Sequence, residues 1–192
     1  MIGAPTSLLL ALVSGIAIAA ACGLRAFLPL LALGLAGRFG LIHLRAGAEW
    51  MAGDPALWAL GIATVLEVVA DKVPVVDHAL DLVGTLIRPA AAWLGAFAVL
   101  TGWGRPWAQI AAVVLGAGAL AVHGVKAKTR LGSTVATAGH ANPLLSVLED
   151  SGVLVLVAAA ILAPLLALVL VALLVWAATR WRRRSAPAIL AP

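Results

Sequence analysis

Charged residues are scarce in this sequence: they make up 11% of its 192 residues, whereas hydrophobic residues make up 64%. A soluble domain carries roughly 25% charged residues, because it must cover its core with a polar surface. The scarcity therefore excludes an ordinary soluble domain. At about 20 residues per membrane-spanning helix, the chain has room for at most about seven or eight spans before loops are counted. We expect an all-α, polytopic transmembrane helical bundle that forms a single transmembrane domain over residues 1–192.

Several other features are absent. Cys22 is the only cysteine, which excludes an intrachain disulfide. Tyrosine is absent, yet there are seven tryptophans, and most of them lie at the ends of apolar runs, as in the aromatic belt of a membrane protein. The four histidines lack the spacing of a zinc site, and the sequence contains no nucleophile motif or phosphate-binding loop. The sequence therefore predicts no metal and no cofactor, and it gives an enzyme no support.

The net charge of +5 is unevenly distributed along the chain. A basic cluster follows the last apolar run and consists of Arg180, Arg182, Arg183 and Arg184. Nucleic-acid binding is one explanation of a high isoelectric point, but a cluster beside a membrane span is the usual positive-inside signal. We therefore predict a multi-pass protein of the bacterial inner (cytoplasmic) membrane, with its basic tail (179–192) in the cytoplasm. The predicted partners are membrane lipids, and no nucleic acid.

Apolar segments mark the candidate helices, and they cover residues 7–36, 55–70, 89–100, 107–122 and 153–178. The last segment contains no charge, which predicts a single span with Glu149 and Asp150 at the start of its helix. The first segment is longer than one span and contains Gly23, Arg25 and Pro29. Because glycine and proline weaken helix continuity, we expect a broken or re-entrant helix there.

These segments also predict a topology. Counting five spans back from a cytoplasmic C-terminus places the N-terminus outside the cell. The same count places Lys126, Lys128 and Arg130 on the outer side, against the positive-inside rule. Either the span count is wrong, or these bases belong to a binding site.

A short pattern of glycine, aliphatic residue, base and alanine occurs twice, at Gly23–Ala26 and again 101 residues later at Gly124–Ala127. It predicts two repeat halves, 7–88 and 107–178, joined by a linking helix within 89–103. Each half would contain an apolar helix, a break at the glycine and an acidic segment. The linking helix would invert the second half, as in transporters built from inverted repeats. Chance similarity between alanine-rich segments is the alternative explanation.

Two basic residues are candidates for binding an anion. An arginine at mid-membrane depth costs at least about 2.5–3.5 kcal/mol, so Arg25 must face protein or a water-filled cavity. It either binds an anion such as phosphate beside exposed backbone amides, or pairs with Glu67, Asp71 or Glu149. Lys126, its counterpart in the repeat, either completes the same basic pocket or extends to the membrane surface.

Half of the eight acidic residues lie in one short stretch. Glu67 and Asp71 are four positions apart, and so are Asp77 and Asp81. Like charges at this spacing repel each other on a helix, so each pair needs a cation, a base or a shared proton. We therefore expect Glu67 and Asp71 to balance the charge of Arg25 or to couple a proton. An amphipathic helix with its acids in water is the alternative, and we favour it for Asp77 and Asp81.

Two stretches, Gly23–Leu30 and Asp71–His78, resemble an uncharacterised bacterial membrane family known as domain of unknown function 4126. The resemblance covers most of the chain, from about residue 8 to residue 170. It implies no established substrate and no catalytic residue. It does imply a shared role for one set of residues, namely Arg25, Asp71, Lys72, Pro74 and Asp77.

We therefore predict a small inner-membrane transporter or channel-like protein for an anionic or phosphate-bearing solute or lipid. Its carboxylates would balance charge or couple a proton. The predicted binding residues are Arg25, Lys126, Glu67, Asp71, Lys72 and Asp77. A single chain with so few helices encloses a transport path poorly. Small residues allow helices of neighbouring chains to approach closely, so we expect a homo-oligomer. The small residues in question are Gly34, Gly37, Gly116 and Gly118. The alternative function is a non-transporting scaffold or assembly factor with buried structural ion pairs.

Overall fold

The computed structural model describes residues 4–70, 74–138 and 140–184, without the side chains of residues 4–6, 74–82, 178 and 181–184. The described residues form seven α-helices and one short 3₁₀ helix, and they contain no strand. In chain order these are α1 (Ala4–Leu24), α2 (Phe27–Arg38), the 3₁₀ helix (Glu49–Ala52), α3 (Asp54–Ala70), α4 (Pro74–Val99), α5 (Arg105–Thr137), α6 (Asn142–Leu162) and α7 (Pro164–Arg184). The predicted all-α class is confirmed.

Three of the described helices are long and apolar enough to cross a membrane: α1 over Ser7–Leu24, α5 and α6. Parts of α2, α4 and α7 are apolar but shorter. Large apolar side chains such as Trp58, Leu86 and Leu162 lie exposed on the outside of the bundle. Monomeric soluble proteins rarely expose so much apolar surface, whereas lipid tails would cover it. Helix length, composition and exposed apolar surface together indicate a membrane protein.

Helix α1 is the centre of the bundle and contacts α4, α5, α6 and α7. Its inward positions are small, and Ala17, Ala21 and Cys22 are fully buried. A Cβ atom on Gly95 of α4 would lie only 2.7 Å from Cγ2 of Ile18, so the backbones of α1 and α4 approach closely at that point. Small residues commonly permit this close packing between membrane helices.

Helices α1 and α5 run in the same direction. Gly15 lies against Leu115, and Gly23 lies against Val122, so the contacts advance together along both helices. Helices related by an inverted repeat would cross the membrane in opposite directions. The parallel pair therefore does not support inversion, and the two repeat halves stay a prediction.

Of the two expected helix breaks, only the first is observed. Arg25 lies at a bend between α1 and α2, and Pro29 lies in the first turn of α2, where a missing N–H group is tolerated. Helix α5 continues through Gly124 without interruption, so the break expected there is wrong. A glycine in a helix interior costs only about 1 kcal/mol, and Arg130 stands where the repeat would need a second proline. The third and fourth apolar segments are parts of the longer helices α4 and α5.

The last apolar segment, 153–178, is a helical hairpin rather than one span. Between α6 and α7, Ala163 has φ −148° and ψ 73°, outside the helical region. A residue before proline is disfavoured in the helical region, and Pro164 cannot donate an N–H to continue α6. Helix α7 returns beside α6, since Leu174 and Leu145 line the same cavity. The predicted single span is therefore wrong.

The hairpin changes the position of several charged residues. Helix α6 begins at Asn142, so Glu149 and Asp150 lie within the helix instead of at the start of the final one. The hairpin crosses the bundle twice, so Lys126 of α5 lies at the same end of the bundle as Arg180 of α7. With the last apolar segment as a hairpin, Lys126 no longer lies at the end of the bundle opposite the C-terminal arginines, so its position does not conflict with the positive-inside rule.

Helices α2 and α3 form a shorter hairpin that begins and ends beside the bend at Arg25. Leu57 of α3 lies against Gly34 of α2, and Glu67 of α3 reaches the backbone where α2 begins. The 3₁₀ helix closes the hairpin, since a Cβ atom on Gly34 would lie 2.5 Å from the carbonyl oxygen of Met51. Helix α3 (Asp54–Ala70) agrees with the second predicted apolar segment.

Candidate functional site

The bend between α1 and α2 presents backbone amides to the inside of the bundle, and Glu67 of α3 binds them. The N–H of Ala26 donates to Oε1 of Glu67 at 2.8 Å, and the N–H of Phe27 donates to Oε2 at 3.1 Å. The first N–H groups of a helix lack partners within the helix and carry the positive end of its dipole. The carboxylate of Glu67 therefore occupies the position beside the backbone amides that the sequence suggested for an anionic ligand.

The side chain of Arg25 is fully buried and reaches both α3 and α6. Its Nη2 donates to Oγ of Ser146 at 2.8 Å, and its Nη1 donates to the carbonyl oxygen of Glu67 at 3.4 Å. Its Nε lies 2.7 Å from Oδ1 of Asp150. Protein groups thus surround the guanidinium, and Asp150 is a carboxylate partner that the sequence did not suggest.

Glu149 of α6 is shared by two cations of α5. Nζ of Lys126 lies 3.2 Å from Oε2 of Glu149 and also donates to the carbonyl oxygen of Leu24 at 3.0 Å. Arg130 forms a two-pronged contact, with Nη2 at 2.8 Å from Oε2 and Nε at 3.3 Å from Oε1. Such paired contacts are among the stronger hydrogen bonds in proteins. The carbonyl of Leu24 is one that α1 leaves without a helical partner at its C-terminus.

These side chains form one group, which we call the bend cluster. Its members are Arg25, Glu67, Lys126, Arg130, Glu149 and Asp150. They come from four parts of the chain: the bend, α3, α5 and α6. The group contains three cations and three carboxylates, so its own formal charges balance. Ionisable side chains inside a membrane bundle normally pair with one another and are candidates for a functional site.

The bend cluster contains three of the six predicted binding residues, namely Arg25, Lys126 and Glu67. Asp71 and Lys72 lie outside the described residues. Asp77 belongs to the first turn of α4, but its side chain lies outside the described part as well. The structure therefore brings together three of the six predicted binding residues, and their role in binding stays a prediction.

Sequence reasoning missed two partners in the cluster, Ser146 and Asp150; it considered Arg130 only together with Lys126 and Lys128, and Glu149 only as a possible partner of Arg25. A helical signal was present, because Lys126 and Arg130 are four positions apart, and so are Ser146 and Asp150. Both pairs lie outside the apolar segments from which the helices were predicted, so the sequence did not show that these side chains point into the bundle.

A second buried polar contact lies one turn from Lys126. Nη1 of Arg88 on α4 contacts Nδ1 of His123 on α5, and both side chains are buried. Within the described ranges, no three His, Cys, Asp or Glu side chains are grouped closely enough to hold a metal ion.

A cavity of about 590 Å³ lies beside the bend cluster, between α5 and the α6–α7 hairpin. We call it the α5–α7 cavity; its volume falls within the roughly 300–1,000 Å³ of small-molecule sites. It is lined by Leu24, Ala121, Val122, Val125, Lys126, Thr129, Leu145, Leu148, Glu149, Gly152, Leu174, Val175, Ala177 and Thr179. Lys126 and Glu149 belong to this lining, but the Lys126 side chain is fully buried behind it, and 14% of the Glu149 side chain is exposed.

The chain matches the family described as Domain of unknown function (DUF4126) over residues 12–184, and it belongs to that family. The resemblance seen in Gly23–Leu30 and Asp71–His78 is thereby confirmed. No curated protein and no solved structure matches the chain. The family supplies no substrate, so function must be argued from the bend cluster and the cavity.

Proposed function

We propose that this member of the DUF4126 family is a small membrane transporter for a solute or lipid that carries an anionic group such as phosphate. The supporting observation is that Lys126 and Glu149 belong to the bend cluster and also line the α5–α7 cavity. An anion site needs a cation that the ligand can reach and a wall that limits access of water. The apolar lining supplies the wall, and the buried ammonium of Lys126 becomes accessible when the ligand displaces Glu149.

Glu149 is the internal counter-ion of this site in the proposed mechanism. It contacts Lys126 and Arg130, so an entering anion competes with the Glu149 carboxylate for the same two cations. A buried charge that loses its partner is strongly destabilised, which favours direct exchange of one anion for the other. A proton that joins Glu149 as the anion arrives keeps the site neutral and couples the two movements. Arg25 keeps its contacts with Ser146 and Asp150 and holds the bend.

Substitution of Lys126 and of Glu149 should have opposite effects on anion binding. Lys126→Gln removes a cation and should weaken binding about tenfold, which corresponds to about 1.4 kcal/mol. Glu149→Gln removes the competing carboxylate and should strengthen binding by a similar factor. Lys128→Gln is the matched control, because Lys128 is an exposed base on the same helix. Titration of an anionic lipid or inorganic phosphate, followed by native mass spectrometry, measures each affinity.

Vesicles that contain the purified protein test transport itself. One set reports uptake of inorganic phosphate, and another reports movement of fluorescent phosphatidylglycerol between the two leaflets. Wild-type protein should move at least one probe faster than protein-free vesicles, and Lys126→Gln should slow that movement about as much as it weakens binding. Movement of neither probe by the wild type would contradict a transporter.

A second function, a non-transporting scaffold or assembly factor, is favoured by the surroundings of Arg25. That side chain is fully buried among protein groups, and such pairing needs no ligand. A scaffold would show no probe movement, and substitutions in the bend cluster would alter only stability.

For the location, we propose the bacterial inner membrane, with the end of the bundle that carries Lys126 and Arg180 in the cytoplasm. This orientation follows the positive-inside rule, since Lys126, Lys128 and Arg130 of α5 share that end with Arg180 of α7. Membrane lipids as partners and a homo-oligomer stay part of the proposal. Gly34, Gly37 and Gly116, however, are already used in packing within the chain, while a Cβ atom on Gly118 would meet nothing within 4 Å.

A further inference from the structure

We infer that the α5–α7 cavity holds one acyl chain of an anionic membrane lipid, and that the acidic headgroup of that lipid reaches the buried Lys126 by displacing Glu149. The inference rests on the proposed function, because it uses the same site, and it names a lipid instead of a free anion as the ligand. It is carried by the lining of the cavity, by its position in the bundle and by the order of polar and apolar residues along it.

The walls of the cavity are mostly aliphatic. Val122 and Val125 of α5 face Leu145 and Leu148 of α6, and Leu24 adds a further apolar side chain from α1. A small hydrophilic anion would leave these walls without an apolar partner. An acyl chain buries them, and removal of apolar surface from water is favourable.

The position of the cavity suits a ligand that comes from the bilayer. It lies between α5 and α6, which are both long and apolar enough to cross a membrane, and α7 forms its remaining wall. Lipid tails surround such helices, so an acyl chain can enter from the side.

The polar residues of the lining, including Glu149, lie toward the basic end of the bundle together with Leu145 and Leu148, whereas the residues at the inner end are apolar or small. Along α5 the lining runs from Ala121 to Thr129, about 12 Å at 1.5 Å per residue, with Lys126 toward the Thr129 end. Along α7 it ends at Thr179, next to Arg180, at the basic end of the bundle. A lipid has the same order, with a headgroup at the membrane surface and a tail inside. Basic residues at that surface attract anionic headgroups.

Gly152 provides a direct test. It lines the cavity, and a Cβ atom there would meet nothing within 4 Å, so a larger side chain would enter the cavity without displacing protein atoms. Gly132 is the matched control, since it is equally open but lies outside the lining. Gly152→Phe should reduce lipid retention at least tenfold, whereas Gly132→Phe should retain lipid like the wild type. Gly152→Ala is a milder variant that should give an intermediate loss.

The experiment uses the full chain in bilayers that contain equal amounts of phosphatidylglycerol and phosphatidylcholine with identical acyl chains. Native mass spectrometry then counts the lipids retained after mild detergent treatment. The wild type should retain phosphatidylglycerol in preference to phosphatidylcholine, and Lys126→Gln should retain both without preference. Full retention by Gly152→Phe, or equal retention of both lipids by the wild type, would overturn the inference.

Failure of this inference differs from failure of the proposed function. Uptake of inorganic phosphate that Gly152→Phe leaves undiminished would support transport and overturn the lipid site. Selective retention of phosphatidylglycerol without movement of either probe would support the lipid site and overturn transport.

Discussion

Arg25 and Arg38 each contact an aspartate, but their surroundings differ. Nε of Arg25 lies 2.7 Å from Asp150, and the arginine side chain is fully buried. Nη2 of Arg38 lies 2.8 Å from Asp54, with 50% and 70% of the two side chains exposed. Breaking a buried pair leaves a charge without a partner and costs about 3–5 kcal/mol, whereas an exposed pair contributes about 0–1 kcal/mol.

Arg25→Met should therefore lower the free energy of unfolding by about 3–5 kcal/mol, and Arg38→Met by less than about 1 kcal/mol. The double variant Arg25→Met with Asp150→Leu should be more stable than Arg25→Met alone, because no charge is left unpaired. Denaturant unfolding in micelles, followed by circular dichroism, measures these differences. Losses that simply add in the double variant would show that Arg25 and Asp150 are not coupled.

For individual residues, the sequence identifies only one of the two partners in each interaction. A lone cation such as Arg25 in an apolar run is visible from composition, and so is an acidic residue such as Glu67 at the end of an apolar helix. The partners are not visible, because Ser146 is 121 residues from Arg25 and meets it only through the packing of α6 on α1. Asp150 was missed for the same reason.

Among the helices, Gly23 and Gly124 show how one motif has two structural outcomes. A Cβ atom on Gly23 would lie 2.7 Å from the carbonyl oxygen of Ala119 and 2.7 Å from Cβ of Val122, so α1 and α5 meet there. A Cβ atom on Gly124 would meet nothing within 4 Å. Only Gly23 is required for the close approach of two helices.

Gly23→Ala should destabilise the protein by about 1–3 kcal/mol, because the added methyl group overpacks the contact between α1 and α5. Gly124→Ala should have no cost, or should stabilise α5 by up to about 1 kcal/mol, since alanine favours helix formation over glycine. Thermal unfolding of both variants in the same detergent compares them. Equal destabilisation by the two substitutions would contradict the close contact assigned to Gly23.

Helices were predicted well where one apolar run forms one helix, as for α3. Helices were predicted poorly where a turn lies within a continuous apolar segment and leaves its composition unchanged. Residues 153–178 satisfy every requirement for one span, and the hairpin depends on Pro164 and the non-helical backbone of Ala163. For α5 the predicted segment was too short, because the buried face of the helix continues through the basic residues Lys126 and Arg130.

For the whole molecule, the two ends of the bundle differ in charge. The end formed by the bend cluster and the C-terminal part of α7 carries Lys126, Arg130 and Arg180. At the opposite end, Arg45 donates to the carbonyl oxygens of Leu100 and Trp103. In the proposed orientation, the end that carries Arg180 lies in the cytoplasm.

Cysteine labelling in intact and permeabilised bacteria tests this orientation. Thr101 and His140 are exposed in turns at opposite ends of the bundle. Thr101→Cys should react with a membrane-impermeant maleimide in intact cells, and His140→Cys only after permeabilisation. Cys22 is fully buried, so the parent protein serves as the unlabelled control. Labelling of both variants from the same side would contradict a crossing of the membrane by α5, which separates the two turns.

The contact between Arg25 and α6 has a consequence for biosynthesis. Ser146 is synthesised 121 residues after Arg25, so at about 5–20 residues per second the arginine waits roughly 6–24 s for this partner. Helix α1 must therefore enter the membrane while the guanidinium of Arg25, the residue that follows it, still depends on water, lipid headgroups or the insertion machinery. Burial of Arg25 is one of the last steps of assembly, and it closes the bundle only when α6 arrives.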